Sequence, residues 1–155
     1  TRLFVFRRWR RVAGQRRTRG ALVAFHTRHK LLIMAHSPKI YREMGQLVGS
    51  GKQLRPTELF ERYQQLLMQA LKLRASVAKN ANVLQHIMGY FKRQLAREDK
   101  AELVELIERY RRQLVPLIVP LTLINHYVRR FDEPYLAQQV YLNPHPVELR
   151  LRNHV

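Results

Sequence analysis

From Arg19 to His36 the apolar residues recur at helical spacing. On a wheel of about 100° per residue, Leu22, Phe25, His29, Leu32, Ile33 and His36 share one face, with Arg19, His26 and Lys30 in a neighbouring stripe. Ser37-Pro38 stops this helix and restarts another, Ser as N-cap and Pro at the first helical position, running to about Val48 before Gly49-Ser50-Gly51. Pro56-Thr57-Glu58 opens the next, in which Leu59, Tyr63, Leu66, Leu67, Ala70 and Leu71 recur at three and four residues. The stretch from Leu59 to Leu95 is too long for one uncapped helix, so a break is expected near Ala75 or Ser76. A helix from about Val77 to Leu95 would turn Val77, Ala81, Leu84, Met88, Phe91 and Leu95 inward.

Glu98 and Asp99 start a helix through Arg112 whose acids come early and whose arginines come late, an order that complements the helix dipole. Pro116 and Pro120 interrupt the following apolar run, and Leu121 to Phe131 reads as a helix with Leu121, Ile124, Val128 and Phe131 inward. Pro134 can open a short helix to about Tyr141, while Asn143-Pro144-His145-Pro146 excludes helix and leaves Val147 to Val155 as an extended tail. No strand alternation and no internal repeat is present. The expected fold is all-α, a single compact domain of about six to seven helices with a basic N-terminal arm.

Composition adds a strong charge asymmetry. The 155 residues are 46% hydrophobic, as in a folded chain, and 29 Lys and Arg against 11 Asp and Glu give a formal charge of +18. Residues 1–42 hold 12 of the basic residues and no acid, since the first carboxylate is Glu43. Leu3-Phe4-Val5-Phe6 and Trp9 interrupt these arginines, which predicts a short helix or arm that docks its apolar residues and shows its basic ones. Residues 1–19 are accordingly read as a basic arm or linker and 20–155 as the helical domain, with Gly14 to Gly20, carrying Arg16, Arg17 and Arg19, as a turn or hinge. The longest apolar run, Leu114 to Ile124, is about half of the roughly 20 residues a membrane span takes. No secretory signal is recognisable, so a cytoplasmic location without membrane association is expected. The start at Thr1 in place of Met suggests processing, or excision from a longer polypeptide.

The supply of catalytic chemistry is poor. With no cysteine, this chain can ligate no iron–sulfur cluster and offers no thiolate nucleophile. His26, His29 and His36 share a helix, but the nearest acid, Glu43, lies on another, so buried structural histidines explain His29 and His36 better than a metal does. The serines are Ser37, Ser50 and Ser76, and Gly49-Ser50-Gly51-Lys52 lacks the spacing of a phosphate-cradling loop. No catalytic residue, metal or cofactor is assigned to this chain.

Binding chemistry is richer. Arg outnumbers Lys by 22 to 7, and guanidinium forks onto phosphate oxygens and stacks on bases. A G- and C-rich genome also favours arginine, but it does not explain why residues 1–42 lack acids. On the helix beginning at Val77, the face opposite the apolar one carries Lys79, Asn82, His86, Gly89, Tyr90 and Arg93. Gly89 in mid-helix costs about 1 kcal/mol relative to Ala, which calls for close helix packing or a flat patch that a ligand backbone approaches. Lys72 extends this surface, and Arg129 and Arg130 add to the basic set. With Trp9, Tyr41, Tyr90 and Tyr127 as stacking partners, RNA or single-stranded nucleic acid fits better than duplex DNA.

The order of several motifs resembles the YbgA-like family, long catalogued as a domain of unknown function. They are Phe25-His26 with Lys30; Ala35-His36-Ser37, Tyr41 and Gly45; Asn82-Val83-Leu84-Gln85-His86 with Gly89-Tyr90-Phe91. Downstream follow Tyr110-Arg111-Arg112, Pro116, Pro120-Leu121, His126-Tyr127, Gln139 and Tyr141. The resemblance covers the chain from about Gly20 to the end. It implies a domain found alone or fused C-terminally to a cysteine-rich desulfidase that holds an iron–sulfur cluster and removes sulfur from thiouracil-type bases. The YbgA-like half is then implied to grip thiolated transfer RNA for that partner, in cis or in trans, with His26, Lys30, His86, Tyr90 and Gln139 as surface contacts.

The expected function is thus an RNA-binding accessory domain. A small-molecule or nucleobase site built around His26, His86, His126 and Tyr90, in a stand-alone enzyme, is the alternative from another class. A protein-interaction module is compatible with the first reading. A membrane-surface role fits less well, because the basic residues are spread over several helices. Oligomeric state is left open by the sequence.

Overall fold

A computed structural model describes residues 1–148. Among these residues there are helices and turns and no β-strand, so the chain is all-α. They divide into two compact units. Helices α1 (Arg2–Gly14), α2 (Arg19–His36), α3 (Pro38–Gly49) and α4 (Pro56–Lys72) build the first, Thr1–Arg74. Helices α5 (Val77–Met88), α6 (Arg97–Arg111), α7 (Ile118–Arg130) and α8 (Pro134–Ala137) build the second, which begins at Ala75.

In the first unit α2 is the centre. Its start is set by Thr18, whose hydroxyl accepts the Ala21 N–H at 3.2 Å, and its end by the Ser37-Pro38 pair. Ser37 accepts the Ile40 N–H at 3.2 Å while Pro38 occupies a first-turn position whose N–H would have no helical partner. The apolar face predicted for α2 is buried as expected, and from Leu31 to Ser37 every residue is buried, because α1, α3 and α4 all lie against this helix. The N-terminal segment is a true helix that docks through Val5 and Trp9, one turn apart. The Trp9 ring lies 5.2 Å from Phe25, 5.5 Å from Phe60 and 5.1 Å from Tyr63, so one aromatic cluster joins α1, α2 and α4. Gly51 lets α3 turn into α4 beneath Leu59: a Cβ there would stand 2.9 Å from a Leu59 methyl carbon.

In the second unit Ser76 caps α5 by accepting the Lys79 N–H at 3.2 Å. Helix α5 is shorter than the expected Val77 to Leu95. It stops at Met88, and Gly89–Phe91 forms a 3₁₀ turn that drops Phe91 into the core, 6.1 Å from both Tyr127 and Phe131. The inward face is consequently Asn80, Ala81, Val83, Leu84 and Ile87, with Val77, Met88 and Leu95 only half-buried. Helices α6 and α7 both end on a left-handed residue that is not glycine, Gln113 (φ 60°) and Asp132 (φ 47°). The Leu114 and Glu133 amides then reach back to the carbonyls of Arg109 and Val128, the Schellman arrangement. Pro120 sits in the first turn of α7, where a missing N–H costs nothing. Beyond α8, residues 146–148 are helical where an extended tail was expected, because Pro146 opens a turn in which the Val147 N–H donates to His145 Nδ1 at 3.2 Å. The rest of that predicted tail lies outside the described residues.

Candidate nucleic-acid interface

The charge is concentrated in the first unit. Thr1–Arg74 contains 17 Lys and Arg against 3 acids, a net +14, which leaves 12 against 8, a net +4, for the remainder of the chain. Helix α1 presents Arg2, Arg7, Arg10 and Arg11 to solvent because Val5 and Trp9 claim its inner face. The turn to α2 adds exposed Arg16 and Arg17, and the Arg17 guanidinium donates to the Ala13 carbonyl at 3.1 Å, closing the end of α1. The N-terminal segment was expected to show its basic residues, but only Arg16, Arg17 and Arg19 of the turn were named individually as contacts, not the four exposed arginines of α1.

Three residues expected at the surface of this unit are less exposed than expected, one of them internal. Arg19 is half-buried, directed toward the Val48 carbonyl at 3.5 Å and close over Gly51. Lys30 is half-buried. His26 is 2% exposed, its Nδ1 3.1 Å from the Tyr63 hydroxyl and its Nε2 buried with no hydrogen-bond partner. The wheel placed His26 beside the apolar face; packing by α1 and α4 covers that side as well, which is why it is internal. Burial first, then the nearby charges of Lys30 and His29, lowers its pKa from 6.5 to about 4, so it is neutral at physiological pH. The same burial raises the Tyr63 phenol far above its ordinary range.

The other two histidines of α2 are buried and hydrogen-bonded to backbone carbonyls, as expected. His29 lies flat on Phe25, centroids 3.9 Å apart, and its Nδ1–H donates to the Phe25 carbonyl at 2.7 Å. His36 donates from Nδ1 to the Leu73 carbonyl at 2.7 Å, fastening the exit of α4. Among the described residues no group of three or more His, Asp or Glu side chains is placed to hold a metal. Lys72 is exposed at the end of α4, where its carbonyl accepts from Arg2 at 2.7 Å.

In the second unit the polar face of α5 is solvent-facing. Asn82, His86, Gly89, Tyr90 and Arg93 are exposed and Lys79 is half-buried. Tyr90 stacks on Tyr135 with centroids 5.0 Å apart and planes 19° from parallel, and His86 meets Tyr90 edge to face at 5.8 Å. Tyr135 was not foreseen, because nothing in its local pattern announces a partner on α5. Arg129 and Arg130 are exposed at the end of α7; Arg130 is shared between Asp99 at 3.6 Å and the Phe131 ring at 5.3 Å.

Gln139 is 0% exposed, which removes it from the surface contacts. It sits in the turn after α8, where Leu136, Tyr141 and Leu142 are also buried. Nearby polarity is likewise internal: the Tyr141 hydroxyl donates to Asn80 Oδ1 at 2.8 Å, and Asn80 also bonds Tyr110, whose pKa burial raises. Of the stacking partners named from sequence, Trp9 and Tyr127 are buried in aromatic clusters and Tyr41 is half-buried; Tyr90 alone among them is exposed.

A family model described as "Protein of unknown function (DUF1722)" matches residues 30–146. Over 153 residues, 98% of this chain and 90% of the relative, the sequence is 33% identical to the uncharacterized protein YbgA of Escherichia coli strain K12. No solved structure matches significantly.

Proposed function

The chain belongs to this family, Protein of unknown function (DUF1722), and on that premise we propose that it is an RNA-binding accessory domain, gripping a polyanion through the arginine-rich first unit. The observation that carries the reading is the net +14 of Thr1–Arg74, displayed by the exposed arginines of α1 and the following turn on a helix anchored by Trp9. A disordered basic tail would have to be ordered on binding, whereas these guanidinium groups start from a rigid backbone. Arginine in place of lysine adds bidentate contacts to phosphate.

The finer reading is that the RNA is thiolated transfer RNA, presented to a desulfidase domain acting in cis or in trans. It is supported by the resemblance to the YbgA-like family. In that arrangement the iron–sulfur cluster belongs to the partner, since this chain has no cysteine. The nucleobase-pocket alternative loses His26, which is committed to Tyr63 inside the first unit.

The test is binding of the purified chain to bulk transfer RNA, thiolated and unthiolated, over a salt series. Affinity should fall with a log–log slope of about −0.7 for each single-strand phosphate neutralised. A thiolated preference makes the domain a specificity element, and equal binding makes it a general grip. Salt-insensitive affinity, or no binding at low salt, overturns the reading.

A further inference from the structure

Gly89, like Gly14, Gly20, Gly45 and Gly49, is a glycine that neither a left-handed backbone nor a close neighbour requires, and it alone of these stands beside an exposed aromatic stack. It caps α5 with φ −58° and ψ −28°, ordinary right-handed values open to any residue, and a Cβ built on it would meet nothing within 4 Å. Neither a left-handed turn nor close helix packing therefore requires it. Glycine near a helix end still costs stability relative to alanine. What it does is leave the backbone bare on an exposed surface.

Two features border that bare backbone. On one side, Gln85, Gly89 and Lys92, spaced four and three residues apart, line a recess of about 80 Å³ that Lys100 closes from α6. Met88 and Leu95 complete the lining of this recess. On the other side stand His86 and the Tyr90–Tyr135 stack, with Tyr90 39% exposed. An exposed tyrosine already held by a second ring has little rotamer entropy left to lose when a third ring joins it.

We propose that this surface of the second unit binds an unpaired nucleotide of RNA, its base stacked on the Tyr90–Tyr135 pair and its phosphate between Lys92 and Lys100, with Gly89 leaving room for the sugar–phosphate backbone. The inference rests on the RNA reading above and assigns it a site in the second unit for a single-stranded nucleotide. Base–aromatic stacking tolerates any base, so the site confers a preference for unpaired over paired segments without reading sequence.

The experiment uses the full chain and two labelled probes, a short single-stranded oligouridylate and its abasic counterpart of equal length, followed by fluorescence anisotropy at fixed low salt. The base-containing probe should bind at least about fivefold more tightly, the low end of what one stacked base contributes. Tyr90→Ala should bring the two affinities together by weakening only the base-containing probe, Tyr90→Phe should keep the difference, and Gly89→Leu should weaken the oligouridylate. Far-UV circular dichroism checks that each variant folds. Equal binding of both probes by the unaltered chain, or a preference that survives Tyr90→Ala, overturns the nucleotide site while leaving the electrostatic grip of the first unit standing. Failure of both probes and of transfer RNA to bind at low salt overturns the RNA reading and this inference together.

Discussion

The indole N–H of Trp9 donates to the Gln64 side-chain oxygen at 2.7 Å, so the one tryptophan of the chain both fills the aromatic cluster of the first unit and fastens the arginine-rich helix to α4. Because Trp9 is fully buried among Phe25, Phe60 and Tyr63, truncation leaves a cavity as well as losing apolar burial. Trp9→Ala should cost about 3–5 kcal/mol in urea denaturation, and Trp9→Phe about 1–2 kcal/mol, since Gln64 is exposed and can turn to water. A loss below 1 kcal/mol for the alanine variant would mean that α1 is not docked as described.

Acid should weaken the chain through His26. Its folded pKa of about 4 lies below the unfolded 6.5, so above pH 6.5 the group is neutral in both states and contributes no pH dependence. As pH falls from 6.5 toward 4, the unfolded chain takes up a proton that the folded chain refuses, and stability drops by about 1.4 kcal/mol per pH unit. His26→Leu removes this site. The stability difference between the unaltered chain and the variant should therefore shift by about 2–3 kcal/mol between pH 7 and pH 4.5 in favour of the variant, and a constant difference across that range would contradict a buried neutral His26.

Helix α6 ends on Gln113 at φ 60°, a region in which a side chain is strained and glycine is not. Gln113 is exposed, so nothing is lost by removing its side chain. Gln113→Gly should raise the stability of the chain by about 0.5–1 kcal/mol, read as a higher urea midpoint at unchanged slope. A lower midpoint would show that the glutamine side chain holds the turn.

The arginines of the α1–α2 turn should separate into two kinds. Arg16→Gln and Arg17→Gln should each reduce the magnitude of the salt slope for transfer RNA by up to about 0.7, as expected for one lost single-strand phosphate contact. Arg19→Gln should leave the slope unchanged and lower stability, because this side chain is turned toward Val48 and Gly51. The reverse assignment would place the phosphate contacts on the other side of the turn.

Helix boundaries were legible at several capping side chains and prolines, though the helix opened by Pro134 ends at Ala137 and not near Tyr141, and Pro146 starts a helical turn where helix was excluded. The Ser37-Pro38 restart, the Pro56 start and the break before Val77 all fall where the sequence signals them. The end of α5 was not legible: the 3₁₀ turn at Gly89–Phe91 carries no capping side chain or proline, and Phe91 packs against Tyr127 and Phe131, residues some 40 positions downstream. The candidate site divides the same way. Local pattern identified the exposed face of α5, but His26 and Gln139, polar residues with no neighbour in sequence to mark them as internal, were read as surface. Helical periodicity says which residues share a face and is silent on how many faces the tertiary structure covers. Asn80 makes the converse point: it lies inside because Tyr141 and Tyr110 are brought to it.

The +14 of the first unit also acts on folding itself. Like charges held on four short helices repel one another in the folded state more than in the expanded chain, a standing electrostatic pressure against compaction. Added salt relieves that pressure by shortening the Debye length, so the ionic strength that loosens an RNA complex should tighten the empty protein. A bound polyanion would neutralise the same charges without weakening the contact it makes. If the proposed polyanion binds, it and added salt would stabilise the same folded state of the first unit, each by relieving the repulsion among the arginines of α1.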